Sequence, residues 1–270
     1  MSTVFTYLQP SPALAGLVAF HYVLRVGEAG FDETLCALLG QVQVGRGGEA
    51  AYHFAEGLVA APTESLISPT DRAVRMSAPP GFVGIGSGLT PAGWSLLAGR
   101  DRAPNTIVPL GGPAGLATLA DADSDGPAAL DTWLGRAFAG REPDPRIAAI
   151  DAWAVSDDCA DVSSLSRALG LSRRSLERLT LRTHGATPKR LSAKYRALKV
   201  AAALATGESD DWRELSAAEH FADQAHFIRE FRRFVGVTPG AFVANEDGFT
   251  RRLIRGRWTP GKPIGIAIFG

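Results

Sequence analysis

Residues 220–242 read HFADQAHFIREFRRFVGVTPGAF, and no other stretch narrows the fold so far. Phe227, Ile228, Phe231, Phe234 and Val235 fall at i, i+1, i+4, i+7 and i+8, which is one broad apolar stripe on a helix. Asp223 is placed to cap that helix and Gly236 to end it. Pro239 suits the first turn of the next helix, from which Phe242 closes against the bundle. Arg229, Arg232 and Arg233 fall mostly off the stripe. The phenylalanines read as core and the arginines as surface. Trp212 and Leu215 mark a short helix upstream, with His220 at the turn between the two.

A second copy of this plan lies earlier, in DVSSLSRALGLSRRSLERLTLRTHG. Leu165, Leu169 and Leu171 flank Gly170, a residue able to end a short helix in the left-handed conformation. Ser172 then caps a helix whose Leu176, Leu179 and Leu181 turn inward, leaving Arg173, Arg174, Glu177, Arg178 and Arg182 largely outward. Helix, tight turn, capped helix with a basic outer face is the helix-turn-helix plan, whose second helix enters a major groove. Between the copies, ATPKRLSAKYRALKVAAALATG reads as one connecting helix with Leu191, Tyr195, Leu198 and Ala202 inward. A rigid helix of that length holds two reading helices about one DNA turn apart.

Charge supports an anionic partner. The chain is neutral overall, yet residues 1–150 carry 9 Lys/Arg against 14 Asp/Glu, while residues 151–270 carry 19 against 14. Between Arg167 and Lys199 ten basic residues face the single acid Glu177. A solvated helix face would produce the same count, so the charge alone does not decide.

The first 110 residues have a different texture. Short apolar runs such as LVAFHYVLRV, TLCALLGQVQV and GFVGIGSGL alternate with Gly and Pro, as in strands bounded by turns. Helical spacing begins after Gly111, where Leu130, Trp133, Leu134 and Phe138 share a face, and continues through Ile147, Ile150 and Trp153. The expected architecture is α+β: a β-rich, cupin-like barrel over 1–110, a helical linker or dimerisation region over 111–156, an all-α domain with two helix-turn-helix units over 157–243, and a C-terminal extension over 244–270. In that extension Arg251, Arg252, Arg255, Arg257 and Lys262 are read as a loose basic segment or as phosphate contacts, and IGIAIF as a strand docking on a partner surface.

The ordered set LSRRSLERL, HGATPKR and FADQAHFIREFRRFVGVTPGAF resembles the DNA-binding domain of the AraC/XylS transcriptional regulators, over about residues 157–243. LISPTDRAVR and TPAGWSLLAGR further resemble the N-terminal domain of a subset of them. The resemblance implies a sequence-specific regulator of double-stranded DNA, modulated through its N-terminal domain by a small-molecule effector or by homodimerisation. Carried onto this chain, it places Arg174, Glu177, Arg178, Gln224, His226 and Arg229 against base edges, and Arg173, Arg182, Lys189, Arg232 and Arg233 against phosphates. Four positions depart from the family pattern: Thr180 replaces an aromatic, Ser216 replaces Ala, and Glu219 and His220 make the second turn read Glu219-His220-Phe221 instead of Leu-Gly-aromatic.

Other functions meet obstacles in the residues. A cupin-like metal enzyme needs clustered histidines, whereas His21 and His53 stand alone. GIGSG at 84–88 lacks the lysine of a phosphate loop, and Pro91 follows too soon for a dinucleotide-binding helix. Cys36 and Cys159 are too few for a disulfide framework or a DNA-repair methyl acceptor. No cofactor, metal or membrane span is expected, and the chain reads as a cytoplasmic non-enzyme. An effector cavity, if the barrel has one, is assigned to His21, Tyr22, His53 and Trp94. A large enclosed pocket would favour sensing, and a filled barrel would favour a non-sensory domain that only mediates assembly.

Overall fold

The computed structural model describes residues 2–98, 103–110, 116, 126–156, 159, 161–219 and 221–257. Two antiparallel sheets build the N-terminal part. The larger has the order β1 (Val4–Leu8), β2 (Val18–Arg25), β9 (Val83–Leu89), β4 (Gly40–Arg46), β7 (Glu64–Ile67) and β10 (Ile107–Pro109). The smaller has the order β3 (Phe31–Leu35), β8 (Val74–Ala78), β5 (Ala51–Phe54) and β6 (Gly57–Ala60).

Period-two alternation sends the residues of the larger sheet to two different cores. On β4, Gln41 and Gln43 face the barrel interior while Val42 and Val44 face outward under helices α1 (Pro91–Leu97) and α2 (Gly126–Phe138). On β2, Phe20, Tyr22 and Leu24 point inward and Val23 points to the helices. Both faces are therefore covered, which is why these strands read as continuous apolar runs. GIGSG is strand β9, and its glycines make room for rings: a Cβ at Gly86 would collide with the Tyr22 ring, and one at Gly88 with Phe20. Close packing, with no phosphate involved, accounts for that motif.

Helix α3 (Arg146–Ala154) leads into the helical part, where Ile150 and Trp153 join its core. There follow α4 (Val162–Ala168), α5 (Arg173–His184), α6 (Pro188–Thr206), α7 (Trp212–Ala218), α8 (Gln224–Val235), α9 (Pro239–Ala244) and α10 (Phe249–Arg257). Capping follows the sequence: Ser172 Oγ accepts from Ser175 N at 3.2 Å, Asp223 from His226 N at 2.6 Å and Thr238 Oγ1 from Ala241 N at 3.3 Å. Gly170, Gly185 and Gly236 take left-handed φ values of 62°, 74° and 96°. Helix α6, 19 residues and so about 28 Å long, is the spine.

Its burial differs from expectation. Leu191, Tyr195, Leu198 and Ala202 do face the bundle, but Ala193, Lys194 and Ala197 on the other side are buried as well. There the N-terminal part packs on it, through Ala37 and neighbouring residues. The alanine-rich KVAAALA stretch suits a helix covered on both sides, since small side chains allow close approach. Among the described residues no helix is long and apolar enough to cross a membrane.

Candidate nucleic-acid interface

In the first unit, Leu165 of α4 and Leu176 and Leu179 of α5 are buried, which turns the opposite face of α5 to solvent. Arg173, Arg174 and Arg178 are exposed on that face. Glu177 sits among them and accepts from Arg173 Nε at 3.1 Å, an exposed i, i+4 pair worth about 0.3–0.5 kcal/mol and easily exchanged for a DNA contact. Thr180 is fully buried and its hydroxyl donates to the Glu177 carbonyl at 3.1 Å.

The second unit is built around the phenylalanine stripe. Phe227, Phe231, Phe234 and Val235 are 0% exposed. Trp212 stacks on Phe227 at 5.8 Å, and Phe221, Phe231 and Phe242 extend the ring contacts through α8 and α9. Gln224, Ala225, Arg229 and Arg232 are exposed. His226 is half-buried, edge-on to Phe221 with ring centroids 5.7 Å apart. Ser216 is buried and satisfied by donating to the Arg213 carbonyl at 2.9 Å, which accommodates a hydroxyl where the family pattern has Ala. His220 lies outside the described residues.

An open cleft of about 590 Å³ lies between α4, the start of α5 and the start of α6, with Arg167, Arg173 and Lys189 on its walls. The N-terminus of α6 opens into it at Thr187, whose side chain makes no capping bond. Asp161 and Glu177 line the cleft too; a helix N-terminus beside Arg167, Arg173 and Lys189 suits a phosphate.

Arg233 makes a contact that its place on the helix did not announce. Its Nη2 donates to Asp71 Oδ2 at 2.7 Å and its Nε to the Asp71 carbonyl at 3.1 Å, so it ties α8 to the N-terminal part. The cause is geometric: Arg233 is in the last turn of α8, on the side turned toward the segment joining β7 and β8. Arg182 is half-buried at the end of α5, and its carbonyl accepts from Trp94 Nε1 at 3.1 Å.

The four residues assigned to an effector cavity do not converge. Tyr22 alone lines the barrel interior. His21 faces α2, with Nδ1 2.7 Å from Ser87 Oγ and Nε2 3.0 Å from Asp131 Oδ1. His53 is exposed on β5, and Trp94 is buried in the interface between α1 and α5. The barrel interior is nearly full, with a cavity of about 20 Å³, room for about one water. Inside, the Tyr22 hydroxyl lies 3.1 and 3.0 Å from Gln41 and Gln43 Oε1, and Tyr52 donates to Gln43 Oε1 at 2.7 Å. Burial raises the pKa of both tyrosines.

The mouth of the barrel is filled by α10 of the same chain. Phe249 and Leu253 of α10 join the barrel core, and Phe249 packs edge-on to Phe31 at 4.9 Å. Arg257 Nε donates to the Tyr7 hydroxyl at 2.8 Å, and its guanidinium lies over the Phe20 ring at 4.8 Å. Burial pushes the Tyr7 pKa up to about 12, against the lowering effect of Arg257. Arg251 is buried too, donating to the carbonyls of Val243 at 2.9 Å and Leu204 at 3.0 Å. Arg251 and Arg257 are thus internal, not the loose or phosphate-binding residues the sequence suggests. Arg252 and Arg255 remain exposed, whereas Lys262 and IGIAIF lie outside the described residues. Amphipathic spacing of Phe249, Leu253 and Arg257 at i, i+4 and i+8 was the available signal.

Sequence reasoning also missed Asp71 and Lys194, which join the two halves. Asp71 accepts from Arg72, Asn105, Arg190 and Arg233. Burial works to raise its pKa, but the hydrogen bonds from Arg72, Asn105 and Arg233 outweigh it and hold the carboxyl below its ordinary value. Asp71 lies in LISPTDRAVR, a stretch that the sequence tied to the family's N-terminal domain without indicating what it would touch.

Comparison with known proteins narrows what this geometry means. The family model described as a helix-turn-helix domain matches residues 165–245. No curated protein matches the chain in sequence. Among solved structures, ToxT from Vibrio cholerae is similar, at 12% identity over 84% of this chain and 98% of that one, with a TM-score of 0.51. ToxT from Vibrio cholerae strain SCE256 with bound unsaturated fatty acid gives 11% identity, 90% and 95% coverage and a TM-score of 0.48. The AraC-like transcriptional activator CuxR gives 12% identity, 60% and 69% coverage and a TM-score of 0.32. At such identities the likeness to ToxT is one of fold.

Proposed function

We propose that the chain is a sequence-specific regulator of transcription, of the AraC/XylS type, that reads double-stranded DNA with α5 and α8; the helix-turn-helix match over residues 165–245 supports this reading. The observation that carries this reading is the pair of capped helices, each with its apolar stripe buried and its N-terminal polar face free. On α5 the reading residues are Arg174, Glu177 and Arg178; on α8 they are Gln224, His226 and Arg229. Arginine addresses guanine O6 and N7, glutamine adenine N6 and N7, and glutamate cytosine N4. Arg173, Lys189 and Arg232 contact phosphates, with the α6 N-terminus in the cleft as a further anchor.

The N-terminal domain, in this proposal, modulates reading through the way it holds the helical part. A small effector would enter the barrel among Tyr22, Gln41, Gln43 and Tyr52, and only with α10 displaced. It shifts the protein's state by as much as its affinity differs between the plugged and unplugged forms. The nearly filled interior favours a second reading, in which the domain serves assembly, including homodimerisation, without sensing.

Selection of the purified full chain on a random duplex library, followed by sequencing, tests the DNA-reading claim. Enriched sequences should carry two motifs about 10 base pairs apart. A library that emerges unenriched, with all binding lost at moderate salt, would refute it.

A further inference from the structure

Both reading helices end against the N-terminal domain. The last carbonyls of a helix have no partner within it; here those of Leu181 and Arg232 accept from the capping glycines Gly185 and Gly236, and others accept from the other domain. At the end of α5, Trp94 Nε1 donates to the Arg182 carbonyl at 3.1 Å, and the left-handed Gly185 approaches Pro69 so closely that a Cβ would stand 2.5 Å from its carbonyl oxygen. At the end of α8, the N–H groups of Ala73 and Ala37 donate to the carbonyls of Arg233 and Phe234, both at 2.7 Å.

One short segment, 68–73, gathers most of these contacts. Pro69 meets the end of α5. The Thr70 carbonyl accepts from Lys194 of α6 at 3.3 Å, and Asp71 binds Arg190 of α6 at 2.8 Å and Arg233 of α8 at 2.7 Å. Ala73 closes the last turn of α8. The N-terminal ends of α5 and α8, where the reading residues sit, stay clear of it.

We propose that segment 68–73 is a spacing clamp, by which the N-terminal domain sets the distance and angle between the two reading helices, with Asp71 as its positioning residue. Its use in DNA recognition rests on the function proposed above, but the clamp is mechanical and exists without DNA. A change in the N-terminal domain reaches both reading helices through this segment at once, because it holds the C-terminal ends of both.

Pulsed electron–electron distance measurement on the full chain, with nitroxides at Arg174→Cys and Arg232→Cys, tests the clamp directly. Native Cys36 and Cys159 are 1% and 3% exposed, and the chain without added cysteines controls for their labelling. The otherwise unaltered chain should give one narrow distance distribution, and Asp71→Asn and Arg233→Gln should each broaden or shift it. Circular dichroism and a cooperative melt establish that each variant is folded. Should Asp71→Asn fail to fold, Arg233→Gln decides, because it leaves Asp71 its other partners. An unchanged distribution in a folded variant overturns the clamp. DNA binding is measured in parallel on the unlabelled chain, which keeps Arg174 and Arg232: a working clamp in a chain that binds no DNA would sink the regulator reading and leave the clamp standing.

Discussion

Lys194 gives the domain interface a signature in pH. It lies on α6, 1% exposed, with Nζ 3.3 Å from the Thr70 carbonyl and 3.5 Å from that of Leu38. Burial pushes its pKa from the ordinary 10.5 down to about 8; Arg257 lowers it further, while Cys36 and Asp71 work in the opposite direction. Between those two values the unfolded chain holds a proton that the folded chain has released. Stability from this group therefore rises as pH rises from about 8 toward 10.5, and below 8 the cost of burying the ammonium is fully present. The difference amounts to about 3 kcal/mol across the window. Lys194→Met keeps most of the volume and removes the titration. It leaves the Leu38 carbonyl its bond from Thr70 N at 3.0 Å. Urea unfolding followed by circular dichroism, run for both proteins from about pH 7 to about pH 10, should show the stability gap between them moving by most of that amount. Two parallel curves would refute the reasoning, since they would mean that Lys194 is hydrated in the folded chain.

Three further outcomes are expected. Phe231→Ala, at the centre of the ring cluster, should destabilise the chain by about 3–5 kcal/mol in urea unfolding; a loss below about 1 kcal/mol would mean that α8 is not anchored by its stripe. Arg173→Ala and Lys189→Ala should each lower the salt dependence of DNA binding by about one released counterion while leaving site preference unchanged, as read by a salt titration. The depressed Asp71 carboxyl stabilises the clamp above the ordinary carboxylate pKa, and this support is lost as pH falls through its lowered value. Hydrogen exchange at the Ala73 amide should accelerate on acidification, relative to the intrinsic rate, and Asp71→Asn should show the faster exchange already at neutral pH.

The helical half was readable because its signals are local. The i, i+4, i+7 spacing of Phe227, Phe231 and Phe234, the caps Ser172 and Asp223, and the glycines that end each helix act within one or two turns, so sequence alone places them. The β-rich half was readable as strands, but their pairing was not: β9 lies between β2 and β4, and nothing in GIGSG announces that Tyr22 and Phe20 will cover its glycines. The contact of Arg233 with Asp71 was not legible because helical periodicity tells only which side of α8 a residue occupies, not that another domain will stand there. The same reason hid Lys194 and Asp71, whose partners are 156 and 162 positions away in the chain. Arg251 and Arg257 looked like surface charge because guanidinium groups held by carbonyls, rings and a tyrosine hydroxyl leave no pattern of neighbouring acids in the sequence.

The central claim, that two helices of one chain read DNA together, is tested most directly by fluorescence anisotropy on the selected duplex. The full chain is compared with Arg178→Ala and Arg229→Ala at fixed salt and with nonspecific competitor. Each variant should lose about 1–3 kcal/mol of binding and relax preference at its own motif only. If Arg229→Ala binds as tightly and as selectively as the unaltered chain, the second unit reads no bases and the two-helix account is wrong.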